Sequence, residues 1–150
     1  MQIKPNADLA ALLLRLTLGS VLLAHSLYLK WVVFTLQGTA DYFSSIGLAS
    51  WLAYVVFAAE VVAGVALLLG VATRWVALGV IPILLGATVV HWGNGWLFTR
   101  TGGGWEYPLV LTLMAVIQFY LGSGRLALKP DSGDFIQVEH KSRGQAYDAI

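Results

Sequence analysis

Six ionisable side chains interrupt otherwise apolar stretches of this sequence: Arg15, His25, Lys30, Glu60, His91 and Glu106. Histidine can donate a hydrogen bond and exchange a proton near neutral pH, and a neighbouring carboxylate can tune or relay that proton. The densest spot is HWGNGWLFTRTGGGWEYP, His91 to Pro108, with three of the six tryptophans, three consecutive glycines and Glu106 between Trp105 and Tyr107. On chemistry alone, His25, His91, Glu60 and Glu106 are the candidate catalytic groups. Arg15, Lys30, Trp105 and Tyr107 are candidates for holding a bound molecule.

The medium around these groups follows from composition. Of 150 residues, 58% are hydrophobic and 11% charged, against about 45–50% and about 25% in soluble domains. A small soluble domain needs more polar cover, not less. The sequence therefore predicts a membrane protein whose main partner is the lipid bilayer. Its net charge of +1 offers no nucleic-acid surface, and the absence of cysteine removes disulfides, thiolate metal sites and iron–sulfur clusters.

Four apolar runs, about 9–29, 51–71, 75–92 and 107–126, approach the roughly 20 residues that a membrane-crossing helix takes. They predict an all-α fold, a four-transmembrane-helix bundle over residues 1–128, with a polar, loosely ordered tail at 129–150. The first run is too long for a cleaved signal peptide and lacks an A-x-A-like site. With four spans, Lys4, Arg74, Arg125, Lys129, Lys141 and Arg143 share one side, against Lys30 and Arg100 on the other. The positive-inside rule then puts both termini in the cytoplasm, in a cell membrane of the bacterial inner-membrane kind. Trp31, Trp51, Trp92, Trp96, Trp105 and Tyr107 fall near the outer ends as an aromatic belt.

In the first outer connection, QGTADYFSSIGLAS predicts a short interfacial helix with Thr39 as its cap. The Gly- and Trp-rich segment Gly93–Trp105 can fold back as a lid. Pro82 should kink the third span and free a carbonyl in a protein-facing position. Along straight helices, Arg15 comes at roughly 9 Å from the cytoplasmic boundary, Glu60 at roughly 16 Å, both histidines at roughly 24 Å and Glu106 near about 30 Å. That spacing predicts one interior polar column. Plainer roles stay open: a snorkelling Arg15, an Arg15–Glu60 pair, packed imidazoles. Glu106 is expected to start the last helix, ahead of Pro108, and to face the pocket.

These residues carry a resemblance to the DoxX family of small four-span membrane proteins. It rests on LLLRLTLGSVLLAHSLYLK, DYFSSIGLAS, EVVAGVALLLGVATRW and GGGWEYPLVL, and covers roughly Leu12 to Leu128. Where family members often have His-Gly, this chain has His25-Ser26, a departure that bears on packing. The resemblance implies an integral membrane protein grouped with quinone-linked oxidoreductase subunits, with Arg15, His25, Lys30, Glu60, Arg74 and Glu106 at the recurring positions.

The leading functional expectation is a quinone-binding oxidoreductase subunit. His25 and His91 would meet the head group, Glu60 or Glu106 would exchange protons, and a partner protein would supply electrons. A non-catalytic scaffold or lipid-binding subunit is the alternative. Two histidines at one depth also leave a metal or haem site open, although no dedicated metal-ligand spacing is present. A transporter would call for a homodimer.

Overall fold

The computed structural model describes residues 6–131, and it is all helical over them. The tail beyond Asp131, with Lys141 and Arg143, and Lys4 near the start lie outside the described residues.

Helix α1 (Ala7–Leu23) begins where Asn6 Oδ1 accepts from the Leu9 N–H, and it runs without a break into a π-helix, Ala24–Val33. A short helix, α2 (Leu36–Ser45), follows, then α3 (Trp51–Leu69), α4 (Thr73–His91) with a 3₁₀ turn at Trp92–Asn94, and α5 (Glu106–Leu121). Three helical stretches are long and apolar enough to cross a membrane: Ala7–Val33, Trp51–Leu69 and Thr73–Asn94. The helix α5 is apolar but only 16 residues, about 24 Å at the α-helical rise. It stops at Leu121, short of the expected 126, because Gly122 leaves the helix at φ 78° and its carbonyl takes the Gln118 amide.

Antiparallel packing of α1 on α3, of α3 on α4 and of α5 on α4 and α1 gives two distinct ends. At the turn end, the chain reverses from α3 to α4 through Gly70 (φ 68°) and Ala72 (φ 48°), and the segment after α5 closes beneath the bundle. There the Arg125 N–H donates to the Asp8 carbonyl, Leu128 N–H to Leu69 and Lys129 N–H to Gly70. The loop end carries α2, the π-helix and the 93–105 connection.

Helices α1 and α3 touch at Gly19 and Gly64. A Cβ on Gly19 would sit 2.9 Å from the Gly64 carbonyl oxygen, and one on Gly64 would meet Leu23 at 2.7 Å and the Gly19 oxygen at 3.0 Å. Backbones can approach this closely only where no side chain intervenes, the usual basis of helix association in lipid. Above and below the crossing, each of the four long helices gives two side chains to one buried apolar layer: Leu18 and Leu22, Ala63 and Leu67, Val80 and Leu84, Leu111 and Ala115.

Two local expectations are corrected. The cap of α2 is Thr35, whose Oγ1 accepts from the Gly38 N–H, while Thr39 lies buried inside the helix and donates to the Thr35 carbonyl. Thr35 wins because it sits just before the first helical residue. Pro82 lies in α4 on the exposed outer surface, not facing the protein; α4 buries Ala77, Val80, Leu84 and Thr88 instead.

The Gly19 contact is backbone against backbone, whereas a Cβ on Gly79 would meet nothing within 4 Å. Gly19→Ala is expected to lower stability by about 1–3 kcal/mol through overpacking. Gly79→Ala should be neutral or better, since alanine is the stronger helix former. Thermal unfolding of both variants in detergent, followed by circular dichroism, checks the contrast.

Candidate functional site

The polar residues divide between the two ends. Arg15 belongs to the turn end. Its guanidinium is 1% exposed and donates through Nη1 to the carbonyls of Leu67 and Leu68, and through Nη2 to that of Arg125. The last carbonyls of a helix lack intrahelical donors and carry partial negative charge. Arg15 therefore ties the C-terminus of α3 to the segment after α5. A Cβ at Gly70 would overlap Arg15 Nη1 at 2.7 Å, so that glycine also makes room for the cation.

Glu60 takes Lys30, not Arg15, as its cation. Lys30 Nζ lies 2.5 Å from Glu60 Oε2, with side-chain exposures of 16% and 8%. Straight-helix depth estimates leave Lys30 at the rim and Glu60 in mid-span, and two things close that gap. A lysine side chain is long, and the π-helix changes where it points. Residues five apart on an α-helix are separated by about 140°. Hydrogen bonding from i to i+5 widens the turn and brings such residues towards one face. The Phe34 N–H to Leu29 carbonyl bond has this i+5 form. His25 and Lys30 stand five apart, so the π-helix brings both to the interior side.

His25 is half-buried, and its ring stacks on Tyr107 at 5.8 Å between centroids and 22° between planes. Both Lys30 and His91 lie within electrostatic reach of it. Ser26, next along, is fully buried, and its hydroxyl donates to the Leu22 carbonyl. A small side chain fits that buried contact. His91 Nδ1 is 2.8 Å from the Ala87 carbonyl. A carbonyl only accepts, so Nδ1 carries the proton, and Nε2 is the nitrogen left for exchange. The structure thus brings His25, Lys30, Glu60, His91 and Tyr107 to one end of the bundle.

Glu106 stands apart from them. It opens α5, as expected, but its Oε1 accepts from the Phe98 N–H of the loop, 3.0 Å away. The carboxylate thus closes the 93–105 connection. Trp105 serves the same loop: it stacks on Trp92 at 4.6 Å and meets Trp96 edge-on at 4.5 Å. The Trp105 and Glu106 N–H groups donate to the Gly95 and Trp96 carbonyls. Asn94, which sequence reasoning passed over, donates to the carbonyls of both Gly102 and Gly103. Gly103 in turn sits against the Cδ2–Nε2 edge of His91, where a Cβ would come within 3.4 Å of Cδ2. A lone asparagine between glycines and aromatics gives no periodic signal that would have marked it.

Among the described residues, no three His, Asp or Glu side chains gather into a metal site. An apolar groove of about 260 Å³ opens between α3 and α4, walled by Ala59, Val62, Ala63, Gly79, Val80 and Ile83. Ala59 precedes Glu60 in the chain and Ala63 lies one turn after it.

A family model described as DoxX matches residues 10–92. The chain belongs to the DoxX family. That match contains Arg15, His25, Lys30, Glu60 and His91, and ends before Trp105, Glu106 and Tyr107. The chain is also similar to a protein named "Putative oxidoreductase CatD" from Bacillus subtilis (strain 168), with 34% identity over 123 residues, covering 82% of this chain and 87% of that relative. No solved structure matches it. With its long apolar helices, this DoxX-family chain is a membrane protein.

The Lys30–Glu60 pair is buried, so removing one partner strands the other's charge. Lys30→Met should cost about 3–5 kcal/mol, and the Lys30→Met/Glu60→Met double variant should recover most of it. Denaturant unfolding of the two variants and wild type in detergent reads this. Equal stability of Lys30→Met and wild type would mean that water reaches the pair.

Proposed function

We propose that this DoxX protein crosses the membrane four times and is an oxidoreductase subunit that binds a quinone head group at its loop end. The observation that carries the reading is the Lys30–Glu60 pair beside His25, held by a π-helix inside an apolar bundle. Ionisable groups at membrane depth are costly and tend to mark function. Long π-segments are rare and π-turns gather at functional sites.

The donor set suits such a ligand. Quinone carbonyls accept hydrogen bonds, and an ammonium offers three N–H groups, of which Glu60 Oε2 accounts for one. His91 Nε2 and His25 can bring or remove the protons that accompany quinone reduction. When bound, the quinone supplies the redox couple; the protein's residues orient it and exchange protons with it. Electrons would come from a partner oxidoreductase. The groove between α3 and α4 holds no polar side chain and suits an isoprenoid tail. The relative named as an oxidoreductase supports the class of chemistry and goes no further.

Orientation follows the charges. Lys30 turns inward to Glu60, which leaves Arg100 as the exposed cation of the loop end, while Arg74, Arg125 and Lys129 lie at the turn end. The positive-inside rule then places the turn end in the cytoplasm and the polar cluster towards the outer face of a bacterial inner membrane.

Gently solubilised wild-type protein is expected to carry a quinone, detected by native mass spectrometry and lipid extraction, and His25→Ala/His91→Ala to lose it. Quinone retained by the double variant would separate binding from the histidines. Quinone absent from both samples would turn the reading towards a scaffold.

A further inference from the structure

We propose that the polar cluster exchanges water and protons with one aqueous side only, the loop end, through the segment from Gly95 to Trp105. It is sealed from the turn end. The inference concerns the site proposed above for quinone and rests on that reading for its use; its geometry stands on the fold alone.

The seal is the apolar layer. Glu60 lies one turn above Ala63, His25 one turn above Leu22 and Tyr107 one turn above Leu111, so the cluster sits directly on the layer along three helices. On α4, His91 lies two turns above Leu84. Beneath the layer, Arg15 is one turn below Leu18 and already holds three carbonyls. None of the eight layer side chains can carry a proton or bond a water. The hydroxyls bordering the layer donate within their own helices: Ser26 to Leu22, Thr88 to Leu84 and Thr112 to Pro108. A proton path towards the turn end therefore meets no titratable side chain within the layer. Desolvating a proton carrier across such a layer without a partner is costly.

The other direction is closed by the glycine-rich 95–105 segment. Gly103 covers the Nε2 edge of His91, and the Asn94 amide pins Gly102 and Gly103 through two hydrogen bonds. Gly95, Gly102 and Gly103 all have positive φ, at 83°, 83° and 76°. Residues 96–102 between these points are exposed. The loop closure combines hydrogen bonds of the 94–106 segment with the Trp92–Trp105–Trp96 contacts, whereas the opposite seal is buried packing from all four long helices. The loop end can open without parting that layer. Asn94 acts as a positioning residue: it holds the covering glycine on His91 and touches no reacting atom.

The chain has no cysteine, so single cysteines report access without background. His91→Cys and Leu22→Cys proteins, in sealed vesicles of fixed orientation, are treated with a charged, membrane-impermeant methanethiosulfonate from either side. Position 91 is expected to label from the loop side only, and position 22 from neither. Adding Asn94→Ala should speed labelling at 91 about tenfold (about 1.4 kcal/mol), the scale of two lost hydrogen bonds on a part-exposed loop. Labelling at 91 from the turn side, labelling at 22 from either side, or a rate unmoved by Asn94→Ala overturns the proposal. If His91→Cys does not fold, carbethoxylation of native His91 is read by peptide mass in wild type and Asn94→Ala. The same acceleration is expected, and equal rates overturn the lid. Neither readout needs a quinone, so failure of the quinone reading and failure of one-sided access are separately visible.

Discussion

A charge pair inside an apolar bundle is tolerable only when both charges meet, and the Lys30–Glu60 contact imposes that condition on the loop half of this protein. Glu60 cannot move: it shares a buried stripe with Ala53, Ala63 and Gly64, on the face of α3 that packs against α1. Lys30 must therefore come to it. The wider π-turn achieves this at a cost, since a long run of i+5 bonding is rare and persists only where its surroundings enforce it. Ser26, fully buried within the run, and Trp31, edge-on against Phe57 at 6.1 Å, fix its two ends against α3 and the bundle interior. The pair and the π-helix thus require each other. His25 is carried to the same side as a consequence.

Much of this was legible in the sequence. Apolar run length marked the helices, and the short break between the second and third runs, 71 to 75, marked the reversal between α3 and α4. The close α1–α3 approach rests on Gly19 and Gly64, where no side chain intervenes. What differed was the choice of partners. Counting residues along straight helices put Arg15, Glu60 and the histidines in one column, because such a count has no term for side-chain length or for a change of helical pitch. Arg15 went to backbone carbonyls that no residue pattern announces. Glu106 went to a loop N–H for the same reason: its partner, Phe98, is set by how the glycine-rich loop closes. Residues that bond side chain to side chain leave complementary types in the sequence. Residues that bond side chain to backbone leave only half the pair in view.

The two ends manage buried charge in opposite ways. At the turn end a guanidinium is neutralised by the partial charges of a helix C-terminus, a fixed arrangement with no proton to give. At the loop end an ammonium, a carboxylate and two imidazoles stand together, groups whose protons are exchangeable. Between them lies the apolar layer, with two side chains from each long helix. The distribution separates a part that only holds the bundle together from a part that can do chemistry.

That separation also bears on what kind of machine the bundle is. A transporter must connect its site to both sides in turn, and here one connection would need eight packed apolar side chains to part, together with the Gly19–Gly64 crossing inside the same layer. A site that draws from the membrane plane has no such demand. The apolar α3–α4 groove runs along α3 at the level of Ala59 to Ala63, while Gly103 of the 93–105 segment covers His91. On the proposed reading, an isoprenoid molecule enters from the first direction and its protons from the second. The two routes meet at Lys30 and Glu60, where the ammonium has donors to spare and the carboxylate already has its partner.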